Sequence, residues 1–351
     1  MAEPLPSSTN TNVKSSINVD HRESRSVTSA ALQMLVDKIS PLLFKYGDPQ
    51  LAGSPQLKPH KRAEERTPVR ESKLEDIFIY TFTNDSAGVD KPILTHKLYY
   101  FAGGGFQGPP TKEHWLLCSE LAVKLPAYQV NLVSYPLAPN SPAVHALPAL
   151  YRLCDALSQQ ARAEQKWITL MGDSAGANVA LTMGLHAAAN ALRGGSEGKC
   201  QLRNIMAISP PTDFRNQNPD IDAISSHDPV LSRTIIDDAA NAWRGDWPPE
   251  EPQVSPIFAD LSLFQRVGIK VDGVIAGHDV LSPDAIVFRQ RLGELGVYGD
   301  WLQWDKQMHC FPIMFPYHIH EGVAGKDWIL DILRRNARSV DSFPPSTAES
   351  A

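Results

Sequence analysis

From residue 77 onward, the sequence alternates between short apolar runs typical of strands and longer amphipathic runs typical of helices. The strand-like runs are "IFIYTFTN", "ILTHKLYYFAG", "YQVNLVSY", "WITLMG", "RNIMAIS", "KVDGVIAG" and "VYGDWLQW". Such alternation predicts an α/β fold with a mostly parallel central sheet and helices on both faces. In open sheets of this kind, ligands bind at the carboxyl ends of the strands. Functional side chains are therefore expected where these runs end.

The chain is long enough for one large α/β domain with shorter flanking segments. It has 351 residues, of which 42% are hydrophobic, ample for a full-sized core. Residues 1–27 are rich in Ser, Thr and Asn and are expected to be a disordered tail. We predict an N-terminal cap helix and linker at 28–74, a catalytic domain at 75–338 with a cap insertion near 212–255, and a disordered tail at 339–351.

Charge and composition exclude several partners. The formal net charge is −6, so no basic field favours nucleic acid. No apolar stretch is long enough to span a membrane, and the N-terminus lacks the apolar core of a secretory signal. The four cysteines are scattered without a CxxC pair, so we expect neither metal nor cofactor, and a cytoplasmic location.

A helix is predicted in "TSAALQMLVDKISPLLFKYG". Leu32, Leu35, Val36 and Ile39 form one apolar face, and Pro41 should end or kink the helix. The helix could cover the domain as part of a lid or lie on a membrane surface. Its polar face is not basic, which favours the lid.

A GxSxG pentapeptide, "GDSAG", lies between a strand-like and a helix-like run. The turn would expose Ser174 because Gly172 and Gly176 let strand and helix approach closely. The N–H of Ala175 would then point into a pocket near the positive end of the helix. The alternative is a tight turn that merely contains a small residue, so further chemistry must accompany the serine.

A serine nucleophile needs donors for the oxyanion that forms in acyl transfer. "YYFAGGGFQG" places three glycines, including Gly104 and Gly105, directly after a strand. Consecutive glycines can turn their amides toward a ligand. A flexible loop or a phosphate cradle is the alternative, but neither GxGxxG nor GK[ST] is present.

A base and an acid follow Ser174 in the order typical of hydrolases. Asp279 comes just after an apolar strand, and His309 follows the last strand 30 residues later. The histidine would take the serine's proton, and the carboxylate would orient and stabilise the imidazolium. The less suitable rivals are His278, His318, His320, Asp284 and Asp305, with Cys310 as an alternative nucleophile.

The insertion at 212–255 suggests a lid. Its segment "DPVLSRTIIDDAANAWRGDW" has one apolar helical face. Part of that face should pack on the body, and the rest should wall an apolar substrate pocket. The predicted lining residues are Phe106, Phe214, Trp243 and Trp247.

These motifs resemble those of the hormone-sensitive-lipase-like esterases of the α/β-hydrolase fold. "AGGGF", "YPLAPNSP", "GDSAGAN", "DPVLS", "GHDVLSPDA" and "MHCF" fall in the family's order. The wording looks most like fungal members, many of which act on esters of secondary metabolites or sterols. The resemblance implies Ser174, Asp279 and His309 as triad and Gly104, Gly105 and Ala175 as oxyanion hole.

Two positions depart from the family pattern. Ala102 stands where a histidine usually precedes the glycines and props their loop. Pro136 and Asn140 replace the charged residues of a structural ion pair. We expect function to survive, although the support of the glycine loop is in question.

The sequence therefore predicts a serine carboxylic-ester hydrolase that acts through an acyl-enzyme on a small apolar or natural-product ester. The same triad could instead serve elimination, cyclisation or acyl transfer. A non-catalytic binder is a third possibility, although His309, which related receptors have lost, is present. The resemblance implies a monomer or homodimer.

Overall fold

The described part of the chain folds around one nine-stranded sheet. A computed structural model describes residues 15–43, 49–83, 94–194 and 200–338. The strands are β1 Ile17–Arg22, β2 Val69–Leu74, β3 Ile77–Phe82, β4 His96–Phe101, β5 Tyr128–Ser134, β6 Trp167–Asp173, β7 Leu202–Ile208, β8 Lys270–His278 and β9 Gly299–Met308. Their order across the sheet is β1-β9-β8-β7-β6-β4-β5-β3-β2.

Ten α-helices accompany the sheet in the described ranges. They are α1 Val27–Leu43, α2 Lys61–Glu64, α3 Lys112–Lys124, α4 Ala143–Ala163, α5 Ala175–Arg193, α6 Asp220–Ser225, α7 Arg233–Arg244, α8 Ser262–Val267, α9 Ser282–Glu294 and α10 His320–Arg338. A 3₁₀ helix, Phe311–Tyr317, lies between β9 and α10.

In the spatial order of the sheet, all strands from β1 at one edge to β5 are parallel. At the other edge, β3 pairs antiparallel with β5, and β2 pairs antiparallel with β3. The inner strands of the sheet bury both faces, so they read as continuous apolar runs. In β4, Tyr99 and Phe101 face one core, and Leu98 and Tyr100 face the other. Helices α4, α5 and α9 cover the first face, and α3 and α10 cover the second. The α/β-hydrolase fold predicted from the sequence is confirmed.

The prediction of disorder through residue 27 is wrong for its last third. Residues 17–22 form β1, which pairs in parallel with β9 at the sheet edge. Ile17 is buried, and the Ser16 hydroxyl donates to the Val297 carbonyl at 2.7 Å. Edge pairing thus overrides a polar composition. Residues 1–14 and 339–351, also predicted as tails, lie outside the described residues.

The predicted linker also contains regular structure. Residues 69–74 form β2, which pairs antiparallel with β3, so the sheet extends beyond the predicted domain start at residue 75. The side chains of β2 are exposed or half-buried. An edge strand without a buried face gives no apolar alternation, which is why the sequence pattern did not reveal it.

Helix α1 packs beside the end of β9 rather than standing apart. The Ser29 hydroxyl donates to Gln307 Oε1 at 3.0 Å, and Gln33 Nε2 donates to the Lys306 carbonyl at 2.8 Å. The predicted apolar face is only partly correct, because Val36 is buried but Leu35 is exposed. The helix also continues past Pro41. Among the described residues, we find no helix long and apolar enough to cross a membrane.

Two leucines of α9 allow a matched test of the core. Leu292 is fully buried, whereas Leu295, at the helix end, is 41% exposed. Leu292→Ala should lower the free energy of unfolding by about 2–5 kcal/mol because it leaves a cavity. Leu295→Ala should change it by less than about 1 kcal/mol. Urea denaturation followed by circular dichroism measures both, and equal losses would contradict this assignment of the core.

Candidate active site

Ser174 occupies a sharp turn between β6 and α5. Its backbone has φ 51° and ψ −126°, a region that non-glycine residues rarely adopt and that is typical of strained functional positions. The Ser174 N–H donates to the Ile208 carbonyl at 2.8 Å, and its carbonyl accepts from the Ala177 N–H at 2.9 Å. The turn is therefore fixed by backbone hydrogen bonds on both sides of the serine.

The two flanking glycines are required by close backbone contacts. A Cβ at Gly172 would lie 2.3 Å from the Gly176 carbonyl oxygen, and one at Gly176 would lie 1.9 Å from the Phe101 oxygen. Both distances are far below van der Waals contact. The GxSxG spacing thus has the close-packed strand–turn–helix geometry expected from the sequence.

Asp279 and His309 meet at the same edge of the sheet. Asp279 follows β8 and His309 follows β9, and these strands are neighbours. Asp279 Oδ2 lies 2.8 Å from His309 Nδ1, and its Oδ1 accepts from the Leu281 N–H at 3.0 Å. Both side chains are buried. The carboxylate thereby fixes the ring orientation and leaves Nε2 for a proton.

The remaining ring nitrogen of His309 contacts a thiol. Nε2 lies 3.4 Å from Cys310 Sγ. No hydrogen bond among the described residues joins the half-buried Ser174 to His309. Asp279 and His309 are therefore hydrogen-bonded to each other, and the predicted pairing of His309 with Ser174 stays a prediction. Hydrogen bonds between nucleophile and base are often long until substrate binds.

The pKa of His309 is raised well above 6.5. Burial, the largest single effect, would lower it, but the charges and hydrogen bonds of Asp279 and Cys310 together outweigh burial. In contrast, burial raises the pKa of the Cys310 thiol to about 12, so the thiol is a poor nucleophile at neutral pH.

The rival residues have other surroundings. His278 lies 3.4 Å from Gln33 Oε1 and stacks on His227, and His318 and His320 are exposed. Asp305 pairs with His21, and Asp284 accepts from Asn218. The described partners of His278, Asp284 and Asp305 are thus residues other than Ser174 and His309.

The glycine loop is shaped for close backbone approach. Gly104 and Gly105 have φ 130° and 57°, and a Cβ at Gly104 would lie 2.6 Å from the Gly108 oxygen. None of the hydrogen bonds found among the described residues uses the N–H of Gly104, Gly105 or Ala175. The role of these three amides as oxyanion donors stays a prediction.

A buried carboxylate supports this loop, a feature that the sequence reasoning missed. Asp173 Oδ1 accepts from the Gly103 N–H at 2.9 Å and from the Tyr100 hydroxyl, and Oδ2 lies 3.2 Å from His114 Nε2. Burial alone would raise the pKa of Asp173, but His114 and these hydrogen bonds hold it below its usual value. Ala102 cannot support the glycine loop through its side chain, but the next residue, Gly103, is anchored to Asp173. In the sequence, the sign of this support is the position of Asp173 inside "GDSAG", directly before the serine.

The predicted pocket residues form an aromatic cluster beside the glycine loop. Phe106 stacks on Trp243 at 4.6 Å between ring centroids and meets Phe214 edge-on at 5.7 Å. All three are buried, and Trp247 packs partly buried against the same core. Trp243 Nε1 has no hydrogen-bond partner among the described residues. The insertion therefore packs directly on the residue that follows Gly105.

Metal ligation finds no support in the described side chains. Within the described ranges, no group of three or more His, Cys, Asp or Glu side chains is arranged to hold a metal ion.

The fold and the site define the class of protein. A family model described as alpha/beta hydrolase fold matches residues 98–313, and the chain belongs to this family. Its relatives include an esterase of Acinetobacter venetianus, 28% identical over 204 residues that make up 58% of this chain and 63% of that esterase. Human hormone-sensitive lipase is 29% identical over 151 residues, 42% of this chain and 13% of that lipase. The chain thus spans less than two thirds of the length of these relatives.

Solved structures agree on the fold. Carboxyl esterase 2 of the mycorrhizal fungus Tuber melanosporum has a TM-score of 0.70 at 19% identity, covering 90% of this chain and 100% of that one. A hormone-sensitive lipase from a metagenome library has a TM-score of 0.69 at 18% identity, covering 90% and 99%. The predicted resemblance to hormone-sensitive-lipase-like esterases is confirmed, and the closer likeness to fungal members stays a prediction.

Gly176→Ala tests the packing that shapes the serine turn. The added methyl would push α5 away from the Phe101 carbonyl at the end of β4, since backbone atoms cannot swing aside. We expect a loss of about 1–3 kcal/mol in unfolding free energy. Gly184→Ala, on the same helix, meets the flexible end of Ile205 and should cost less. Thermal denaturation of both variants is the measurement, and a costlier Gly184→Ala would contradict the prediction.

Asp279→Asn tests the cause of the raised pKa of His309. Removal of the carboxylate charge leaves burial, which lowers the pKa, so the ring should lose its proton at lower pH than in the wild type. NMR titration of labelled histidines measures both midpoints, and the wild-type midpoint should lie above 6.5. Asp305→Asn removes a charge that pairs with His21 instead and should leave the His309 midpoint in place. An unchanged midpoint in Asp279→Asn would contradict the assignment.

Proposed function

We propose that the protein is a serine hydrolase that cleaves carboxylic esters through a Ser174–His309–Asp279 triad. The observation that carries the proposal is the buried 2.8 Å Asp279–His309 pair, at the same sheet edge as a serine held in a strained turn. Membership of the α/β-hydrolase family and the printed names of its relatives, esterase and hormone-sensitive lipase, support the ester as substrate class.

The proposed first half-reaction acylates the serine. His309 Nε2 takes the proton of the Ser174 hydroxyl as the oxygen attacks the ester carbonyl. Asp279 stabilises the imidazolium that results, without taking the proton itself. The N–H groups of Gly104, Gly105 and Ala175 donate to the negative oxygen of the tetrahedral intermediate. The imidazolium then gives its proton to the leaving alcohol, and the acyl group stays on Ser174.

The second half-reaction returns the free enzyme. Water attacks the acyl carbon while His309 accepts its proton, and the carboxylic acid leaves as Ser174 regains its hydrogen. The raised pKa of His309 suits a base that must hold a proton in both intermediates. It also means that activity should be lost as pH falls through that pKa, since the protonated ring cannot act as a base.

The surroundings favour an uncharged substrate. Phe106, Phe214 and Trp243 form a buried aromatic cluster beside the glycine loop, so this side of the site is built from apolar rather than charged side chains. We propose a small apolar or natural-product ester as the substrate class. Trp247, the one predicted lining residue that is only partly buried, would then contact its acyl or alcohol portion, with the buried cluster behind it.

Ser174→Ala is the direct test. Wild-type protein should hydrolyse p-nitrophenyl esters between acetyl and octanoyl, and the variant should lose on the order of 10⁴-fold or more in kcat because the nucleophile is gone. Ser158→Ala, in which the lost hydroxyl binds a helix carbonyl of α4, should keep wild-type rates. Substantial turnover in Ser174→Ala would refute the triad.

Product mass separates hydrolysis from the alternatives. With a natural-product ester in ¹⁸O-labelled water, hydrolysis should place one labelled oxygen in the released acid. A product formed without water would indicate elimination, cyclisation or acyl transfer by the same residues. Ligand binding without any turnover would indicate a binder.

A further inference from the structure

A second buried carboxylate, Asp228, contacts the segment that carries the catalytic acid. Asp228 lies in the insertion, between α6 and α7, and is 8% exposed. Its Oδ2 accepts from the Val280 N–H at 2.9 Å. Val280 directly follows Asp279, so the contact lies one peptide unit from the carboxylate that holds His309.

The other oxygen of Asp228 fixes its own turn. Oδ1 accepts from the N–H groups of Val230 and Leu231 at 2.8 and 2.9 Å. The carboxylate is therefore held rigidly by two amides of the insertion while it holds a third amide of the acid segment. Three backbone donors satisfy a charge that would otherwise be costly to bury.

The same two segments share a small hydrophobic core. Ile221, Leu231 and Ile236 of the insertion pack with Val280 and Leu281 in a cluster separate from the two main cores. Asp228 lies at the polar side of this contact. The base of the insertion is thus joined to the acid segment both by apolar packing and by a charged hydrogen bond.

The two carboxylates hold adjacent amides. Asp279 Oδ1 accepts from the Leu281 N–H, and Asp228 Oδ2 accepts from the Val280 N–H. Because both amides are hydrogen-bonded, the backbone that follows Asp279 is held in one conformation, and this limits the positions that the Asp279 side chain can take. Burial and the neighbouring Asp279 charge raise the pKa of Asp228 to about 7, which agrees with two carboxylates held close together.

We propose that Asp228 is a positioning residue for the triad: through the Val280 N–H it fixes the Asp279 segment, and so the hydrogen bond between Asp279 and His309. This proposal rests on the function proposed above. It assigns to the insertion a part in the chemical step, beyond covering the substrate. The hydrogen bonds of the transition state need Asp279 and His309 aligned within a fraction of an ångström.

Asp228→Asn is the deciding variant. It is nearly isosteric and keeps one oxygen acceptor, but its amide group cannot accept two sets of N–H donors as the carboxylate does. At pH 8.5, where Asp228 is ionised in the wild type, kcat for p-nitrophenyl esters should fall about tenfold, the factor expected for one lost hydrogen bond to a charged acceptor. KM should stay within about twofold because the pocket residues are untouched.

The matched control is Asp237→Asn. Asp237 also lies in the insertion, on α7, but it accepts from Asn216 Nδ2 of the insertion at 2.7 Å rather than from an amide of the acid segment. Its kcat and KM should match the wild type. The NMR chemical shift of the His309 Nδ1–H proton reports on its hydrogen bond to Asp279. This chemical shift should change in Asp228→Asn but not in Asp237→Asn, and a purely structural role of Asp228 would leave it unchanged.

Three results would overturn the proposal. One is an undiminished kcat in Asp228→Asn. Another is a rise in KM with unchanged kcat, because such a change would give Asp228 a part in substrate binding alone. If the variant does not fold, amide exchange in the wild type decides. The Val280 N–H should exchange slowly, and rapid exchange would show that the hydrogen bond is absent.

Failure of the proposed function would look different. It would appear as a wild-type protein that hydrolyses no ester. In that case the rate at which a fluorophosphonate labels Ser174 replaces turnover. Labelling slowed about tenfold in Asp228→Asn would support the positioning role, and equal labelling rates would overturn it.

Discussion

The structure depends on a backbone contact that tolerates no side chain. Helix α5 begins so close to β4 and β6 that the Gly176 Cα lies against the Phe101 carbonyl, and Gly172 lies against Gly176. Ser174 lies in the turn at this contact in a strained conformation, and its Cβ lies next to Gly103 of the glycine loop. The positions of Ser174 and of the glycine loop thus depend on one packing constraint rather than on separate contacts. The strain is sustained because strand and helix are both anchored in large cores.

Buried carboxylates organise the rest of the site. Asp173 fixes the glycine loop through Gly103 and Tyr100, Asp279 orients His309, and Asp228 binds the backbone next to Asp279. A buried charge is costly unless several donors satisfy it, and here backbone amides supply many of them. Each carboxylate therefore acts as a clamp between segments that are distant in sequence. The glycine loop, the acid segment and the insertion gain fixed positions without belonging to the sheet.

The sequence predicted the buried strands and the spacing of the candidate site residues, but not the edge strands or the support of the glycine loop. Apolar runs of strands that are buried on both faces identified β3 to β9, and the spacing of Ser174, Asp279 and His309 followed from strand order. β1 and β2 were missed because edge strands with exposed faces carry no such runs. The support of the glycine loop by His114 was missed because α3 and β6 are distant in sequence, and only tertiary packing brings them together. The predicted pocket residues did cluster, but their burial against each other depends on where the insertion packs.

The place of β1 has a consequence for how the chain can be divided. The family match covers residues 98–313, yet β9, the strand that precedes His309, is flanked on its outer side by residues 17–22. Removing the residues before the first motif would remove β1. The N–H and C=O groups on the outer side of β9 would then be unpaired. An open, parallel edge of that kind invites pairing with a second molecule. The short, polar β1 thus takes the outermost position in the sheet and covers the strand that leads to His309.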